Sequence, residues 1–201
     1  MNFSPQDRKR IGDYYRQRLD RYGVDSAEAL SWSSQQAQQI RFQVLTQVGD
    51  LRGKSILDVG SGLGDLYALL QKTVEDFDYL GVELVPDLVT VARAKYPQAQ
   101  FENRDILDFN DRKFDYVLSS GAMSFKVPQH FDKYFAMIRK MFSLARLGLA
   151  FNMLDQRGHI DNELYAAYNP SEIEAFCRTL TPKVKLITHY SPQDFTLLLH
   201  P

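Results

Sequence analysis

The stretch Leu57-Asp58-Val59-Gly60-Ser61-Gly62-Leu63-Gly64-Asp65 decides the fold, because three glycines stand at alternate positions directly after an acidic residue. The residues at 55–59 (SILDV) form a short apolar run, which predicts a buried strand. The residues at 63–70 then place leucines at helical spacing. A strand, a glycine turn and a helix in this order make half of a βαβ unit.

The spacing of the glycines separates the ligands that such a turn could bind. A dinucleotide fold carries G-x-G-x-x-G, whose third glycine opens the helix beneath a pyrophosphate. That slot here holds Asp65. Its carboxylate would repel a pyrophosphate but would tolerate a ligand with no phosphate and a cationic centre. Glycines also let the backbone approach a bulky ligand closely, because they leave room and adopt unusual dihedral angles.

Short apolar segments alternate with helical patterns along the rest of the chain. Further strands are predicted at 79–83, 100–102, 114–119 and 147–154, and the helices between them at 63–70, 86–94 and 130–145. Two helices come before all of the strands, at 5–22 and 34–49, and a last helix begins at Asn169. The closing segments 184–189 and 195–199 are separated by few residues and predict an antiparallel hairpin at one edge of the sheet. The alternation implies a mostly parallel sheet with helices on both faces.

Composition describes an ordinary globular protein. The 201 residues suit one domain, and 44% hydrophobic with 24% charged residues exclude a disordered or fibrous chain. The formal charge of −1 gives no overall positive field that would gather nucleic acid or anionic lipid. The single cysteine, Cys177, cannot form an internal disulfide, and we find no signal peptide and no membrane-length apolar run. We therefore expect a cytoplasmic protein with neither a nucleic-acid partner nor a membrane partner.

The pattern Asp-x-Gly-x-Gly-x-Gly after a strand, from Asp58 to Gly64, resembles motif I of the class I S-adenosylmethionine-dependent methyltransferases. Later landmarks agree with that resemblance. Glu83 ends the second predicted strand, where the family's acidic residue accepts hydrogen bonds from both ribose hydroxyls. Asp105 follows the third strand and matches the acidic residue that accepts from the adenine amino group, with Ile106 against the ring.

Two further matches concern the methionine portion of the cofactor. Ser119-Ser120-Gly121 ends the fourth strand and matches the family segment that lines this portion, and Arg41 matches an arginine that faces the cofactor carboxylate. The resemblance therefore implies S-adenosylmethionine as the cofactor and a set of cofactor-binding residues, namely Arg41, Asp58, Gly60, Ser61, Gly62, Gly64, Glu83, Leu84, Asp105, Ile106 and Ser120.

The resemblance also implies the architecture of the whole chain. The expected fold is α/β: a Rossmann-like, seven-stranded, mostly parallel sheet with a C-terminal antiparallel hairpin, helices on both faces and an N-terminal helical extension. Residues 1–50 are expected to form a helical cap or lid, with Trp32 over the cofactor, and residues 51–201 the methyltransferase domain, the two making one structural unit. Tyr14 and Tyr15 could line a substrate pocket, although helical aromatic residues more often pack.

The implied activity is methyl transfer to an unidentified acceptor. A protein that binds S-adenosylmethionine without catalysis would carry the same motif. A nicotinamide-dependent oxidoreductase is disfavoured by the missing third dinucleotide glycine and by the lack of a Tyr-x-x-x-Lys pair. The aminopropyl transferases share the fold, but we locate no paired-aspartate pocket for their chemistry.

The acceptor is expected to be a small molecule. Enzymes that methylate exocyclic amines carry N-P-P-Y or D-P-P-Y after the fourth strand, where this chain has Ser119-Ser120-Gly121-Ala122. No general base is assigned, but the carboxyl ends of the fourth and fifth strands offer Ser124, Phe125, His130, Asn152 and Asp155. No metal site is expected, because none of the histidines, His130, His159, His189 and His200, has a partner at ligand spacing. Cys177 is predicted to be a small buried hydrophobic residue.

Overall fold

A seven-stranded sheet forms the centre of the protein in the computed structural model, which describes residues 2–158 and 163–201. His159 lies outside the described residues. In chain order the strands are β1 (Ser55–Val59), β2 (Asp78–Glu83), β3 (Gln100–Asn103), β4 (Phe114–Ser119), β5 (Ala145–Leu154), β6 (Val184–Ile187) and β7 (Asp194–Leu199). The helices are α1 (Pro5–Tyr22), α2 (Gln35–Leu45), α3 (Asp65–Thr73), α4 (Pro86–Lys95), α5 (His130–Leu144) and α6 (Pro170–Arg178).

The spatial order of the strands is β3-β2-β1-β4-β5-β7-β6. The first five strands pair in parallel, and β7 lies antiparallel between β5 and β6. This arrangement confirms the predicted fold class, including the closing hairpin at one edge. The carboxyl ends of β1, β2 and β4 meet at one edge of the sheet, which is where open α/β sheets bind ligands.

Both faces of the sheet are covered because the central strands alternate between two apolar layers. Ile56 and Leu118 pack into the layer that includes α2 and α3, whereas Leu57 and Val117 pack into the layer that includes α5 and α6. Cys177 belongs to the second layer, where burial raises the pKa of its thiol to about 12. The prediction that Cys177 packs as a hydrophobic residue is therefore confirmed.

Helix α1 crosses the edge of the sheet and is fixed to two other helices. Its start is a capping box in which Ser4 and Asp7 hydrogen-bond each other's backbone N–H groups. The carboxylate of Asp7 also forms a buried ion pair with Lys133 of α5, at 2.6 Å. Further along, Arg16 contacts Asp87 of α4 at 2.9 Å. Among the described residues, no helix combines the length and the hydropathy that a membrane span requires.

Candidate functional site

The glycine turn after β1 folds back onto β2. Its glycines all adopt positive φ, with values of +75°, +55° and +83° at Gly60, Gly62 and Gly64, a region that other residues enter only with strain. A Cβ at Gly60 would lie 2.4 Å from the Cβ of Ala122, in the segment after β4. A Cβ at Gly62 would lie 2.8 Å from Leu30 in the N-terminal region. The turn is therefore closely enclosed by the rest of the site.

Gly64 has a different place from the other two glycines. A Cβ there would lie 2.8 Å from the ring of Tyr96 and 3.0 Å from that of Phe101. Gly64 is also the left-handed residue that precedes α3. It therefore packs behind the turn, so the structure places it away from the wall of the cavity described below.

Glu83 ends β2 beneath the glycine turn. One carboxylate oxygen accepts a hydrogen bond from the Gly62 N–H and the other accepts one from the Val85 N–H, both at 3.0 Å. Burial raises the pKa of this carboxyl group, and the two backbone donors oppose that shift. Glu83 thus holds the turn to the strand end and still has lone pairs for a ligand.

Asp58, on β1, is a second buried carboxyl group at the same edge. The hydroxyl of Tyr79 donates to it at 2.7 Å. Burial raises the pKa of Asp58 to about 7; the Tyr79 hydrogen bond opposes the shift, and the nearby charges of Glu83 and Asp65 add to it.

Asp105 follows β3 and accepts two hydrogen bonds within the protein. One oxygen caps the short helical turn Ile106–Asp108 by accepting from the Leu107 N–H at 3.0 Å. The other accepts from the guanidinium of Arg8, on α1, at 2.7 Å. The capping role and the proposed ligand role therefore belong to the same side chain.

Arg41 lies on α2 and is buried. Its guanidinium donates to the carboxylate of Asp194 and to the Ala37 carbonyl, and it lies 5.0 Å from the ring centre of Trp32. Its Nε has no hydrogen-bond partner among the described residues. The Oγ of Ser61, in the glycine turn, is likewise buried without a partner in the described part of the chain.

These residues enclose one cavity of about 230 Å³. Its wall includes all of the predicted cofactor-binding residues except Gly64, namely Arg41, Asp58, Gly60, Ser61, Gly62, Glu83, Leu84, Asp105, Ile106 and Ser120. Three of the acceptor-side candidates also line it, Ser124, Phe125 and Asn152. The structure places the other two elsewhere, since His130 begins α5 and Asp155 forms an ion pair with Arg157 at 2.6 Å.

Much of the remaining wall is aromatic or apolar and comes from the N-terminal region. Trp32 and Tyr15 both line the cavity. The ring of Trp32 approaches Gly121 so closely that a Cβ there would lie 3.0 Å from it. Tyr14 packs on Phe125 with 5.4 Å between ring centres, and its hydroxyl contacts that of Tyr165.

Gln38 and Asp194 are among the polar residues of the wall that sequence reasoning missed. Gln38 lies one helical turn before Arg41 and donates to Asp65 at 2.9 Å, so helical periodicity from Arg41 was a usable signal. Asp194 is 153 positions from Arg41, its ion-pair partner. The sequence carries no local signal for that pairing.

Comparison with known proteins identifies relatives of this chain. Residues 56–144 match a family model described as a methyltransferase domain. The "Putative methyltransferase Rv1506c" of Mycobacterium tuberculosis is 28% identical over 158 residues, which are 72% of this chain and 92% of the relative. A demethylmenaquinone methyltransferase of Chlorobaculum tepidum is 38% identical over 72 residues, which are 35% of this chain and 29% of that protein.

Among solved structures, the magnesium protoporphyrin IX methyltransferase of Synechocystis, crystallised with S-adenosylmethionine, superposes with a TM-score of 0.70 at 18% identity. The superposition covers 98% of each chain, and it shows a shared fold. The family match spans β1 to α5 and so includes the glycine turn, Glu83 and Asp105.

Proposed function

We propose that the chain is a class I S-adenosylmethionine-dependent methyltransferase, which its methyltransferase-domain match and its relative support, and that it methylates a small-molecule acceptor with a flat, largely apolar ring system. The observation that carries this proposal is the single cavity in which the glycine turn and the buried Glu83 meet the aromatic wall around Trp32 and Phe125. We assign the part of the cavity at the glycine turn and Glu83 to the nucleoside of the cofactor, and the part at the aromatic wall to the ring system of the acceptor.

The residues present fit S-adenosylmethionine. Gly60 leaves free a space that a Cβ would fill. The buried atoms Arg41 Nε and Ser61 Oγ have no hydrogen-bond partner among the described residues, and a bound ligand would supply one. We assign the ribose hydroxyls to Glu83 and the adenine to Asp105 and Ile106. We assign the polar contacts of the methionine portion to Arg41, Ser61 and Ser120.

When bound, the cofactor would supply a methyl group on a sulfonium: an acceptor atom would bond to the methyl carbon in line as the carbon–sulfur bond breaks, and S-adenosylhomocysteine would leave without a covalent enzyme intermediate. The protein's part is to orient both partners and to exclude water. Asn152 on β5 contributes rigidity, because its side chain accepts from the Gly121 N–H at 2.9 Å and donates to the Ser120 hydroxyl at 3.0 Å. The end of β4 is therefore fixed where the acceptor must approach.

The acceptor class rests on the aromatic wall and on the relatives. Phe125 and Tyr165 line the cavity, and Tyr14 packs edge to face against both from outside the cavity wall, with ring centres 5.4 to 6.4 Å apart. Such rings offer flat apolar surfaces. Two of the named relatives act on conjugated rings, a quinone and a porphyrin by their names. We further propose that residues 1–50 act as the cap that closes this cavity.

Calorimetric titration tests the cofactor assignment. S-adenosylmethionine and S-adenosylhomocysteine should bind with micromolar affinity, and NAD should not bind. A variant with Gly60→Val and Glu83→Ala should lose both ligands, whereas Gly12→Ala should retain them, since a Cβ at Gly12 meets nothing within 4 Å. Binding of NAD in place of the sulfur nucleosides would refute the assignment and favour the oxidoreductase.

A methyl-uptake screen tests the acceptor. The protein is incubated with S-adenosylmethionine labelled in the methyl group and with panels of quinols, porphyrin carboxylates, aromatic nitrogen heterocycles and aliphatic acids of similar size. Ring-containing acceptors should take up label and the aliphatic acids should not. Label in the aliphatic panel alone would refute the ring preference. Tight cofactor binding without uptake in any panel would favour the catalytically silent binding protein.

A further inference from the structure

A buried ion pair joins the N-terminal region to the closing hairpin at the edge of the cavity. The side chains of Arg41 and Asp194 are 6% and 3% exposed, and each lines the cavity. Asp194 begins β7, where it pairs in register with Leu154 of β5, and it also accepts from the Ser191 hydroxyl at 2.8 Å. Asp194 is therefore held on a rigid element, whereas Arg41 reaches it from a helix.

The hydrogen bonds of Arg41 use two of the five N–H donors of its guanidinium, one on each terminal nitrogen. One terminal nitrogen donates to Asp194 and the other to the Ala37 carbonyl, and Nε alone lacks a partner among the described residues. The indole of Trp32 lies beside the guanidinium plane and restricts its rotation further. These contacts fix the orientation of the guanidinium.

Arg41 also lies close to the part of the site that holds the glycine turn. Gln38, one turn earlier on α2, donates to Asp65 at the start of α3. Trp32 packs against Gly121 at the end of β4. The guanidinium thus lies over the region where the amino-acid portion of the cofactor would end.

We infer that Asp194 is a positioning residue, which orients the guanidinium of Arg41 so that its unused N–H groups donate to the carboxylate of the cofactor. The inference rests on the proposed function. It predicts that Asp194 matters for ligands that carry the amino-acid portion and matters only through Arg41. A fixed donor loses less rotamer freedom on binding than a mobile one, which is the source of the expected gain in affinity.

The test compares two ligands with the same adenosine and thioether and the same net charge of zero. S-adenosylhomocysteine carries the amino-acid portion, and 5′-methylthioadenosine lacks it. Dissociation constants are measured by calorimetry for the wild type, Arg41→Ala, Asp194→Ala, the double variant and Asp194→Asn. Asp155→Asn is the matched control, because Asp155 is a similarly buried, arginine-paired carboxylate near the same edge that lies away from the cavity wall.

We expect Arg41→Ala to weaken S-adenosylhomocysteine about 10-fold or more, in line with a charge-assisted hydrogen bond. Asp194→Ala should weaken it about 5-fold, and the double variant should match Arg41→Ala alone, because two residues that act as a unit are not additive. Asp194→Asn keeps an oxygen acceptor and should restore most of the affinity. 5′-Methylthioadenosine should bind all variants about equally, and Asp155→Asn should behave as wild type.

Three results would overturn the inference: equal losses for both ligands in Asp194→Ala, additive losses in the double variant, or tighter binding of S-adenosylhomocysteine when Asp194 is removed. If Asp194→Ala does not fold, Ser191→Ala replaces it. Loss of that second hydrogen bond should weaken S-adenosylhomocysteine about 2-fold and leave 5′-methylthioadenosine unchanged, and equal effects on both ligands would again overturn the inference. A wild type that binds neither nucleoside would instead refute the proposed function.

Discussion

Replacement of Glu83 by Gln tests the centre of the cofactor site, because it keeps the shape of the side chain and removes its charge. A carboxylate forms hydrogen bonds about twice as strong as those of a neutral acceptor, which is a difference of about 1 kcal/mol per bond. Two ribose hydroxyls then account for about 2 kcal/mol, which corresponds to about 30-fold weaker binding of S-adenosylhomocysteine.

The same substitution also carries a cost in stability that follows from the observed contacts. Each oxygen of Glu83 accepts from one backbone N–H, at Gly62 and at Val85. The Gln amide has a single oxygen, so its NH₂ group must face one of these donors and leave it unpaired. A buried unpaired donor costs about 1–3 kcal/mol, and each kcal/mol lowers Tm by about 2–4 °C in a domain of this size.

Calorimetry with S-adenosylhomocysteine and thermal unfolding measure the two effects of Glu83→Gln separately. Glu102→Gln is the control, because Glu102 lies on the neighbouring strand in register with Val82 and its side chain is 44% exposed. That control should keep wild-type affinity and Tm. If Glu83→Gln bound the nucleoside within about 3-fold of wild type and melted at the same temperature, both the ribose assignment and the clamp on the glycine turn would be wrong.

Three other substitutions give further tests, one of them in the glycine turn. Gly60→Ala should lower both the affinity for S-adenosylhomocysteine and Tm, because its Cβ would meet that of Ala122 at 2.4 Å on a backbone with φ of +75°. Unchanged calorimetry and melting for this variant would contradict the close packing. Gly12→Ala, in the interior of α1, should stabilise the protein by up to about 1 kcal/mol. Burial raises the pKa of Asp58 in the folded state to about 7. Between about pH 4 and pH 7 the folded state therefore binds more protons at this carboxyl group than the unfolded state does. The contribution of Asp58 to the free energy of unfolding falls as pH rises through this window. Asp58→Asn should therefore gain stability relative to wild type across that window, by at most about 1.4 kcal/mol per pH unit, and a constant difference in urea unfolding from pH 5 to 8 would refute the shift.

The fold could be predicted because local pattern and tertiary packing agree in this chain. β1 and β4 are apolar along their whole length, as strands buried on both faces must be, so their predicted bounds of 55–59 and 114–119 match those observed. The connection order then brings the carboxyl ends of these strands together. For that reason, the sequence predicts that acidic residues at strand ends, such as Glu83, lie together at this edge of the sheet.

Two of the missed contacts share a cause, which is pairing between residues that are distant in sequence. Asp194 meets Arg41 only because β7 inserts between β5 and β6, and Arg8 meets Asp105 only because α1 crosses the sheet edge. Gly64 belongs to the sequence motif, but packing against aromatic rings explains its lack of a side chain. A motif read from sequence does not separate glycines that face a ligand from those that face the core.

The contacts of the N-terminal region support the proposal that residues 1–50 close the cavity, and they add a constraint on how the cofactor enters. Arg8 holds Asp105, Leu30 packs at Gly62 and Trp32 covers Gly121, so this region touches the predicted adenine end, the glycine turn and the methionine end together. A cofactor that occupied the adenine end, the glycine turn and the methionine end would replace contacts that residues 1–50 make in this structure. In the proposed assignment, adenine shares an Asp105 carboxylate that already accepts from Arg8 and from the Leu107 N–H. The proposal therefore links cofactor binding to the docking of α1 through the same carboxylate.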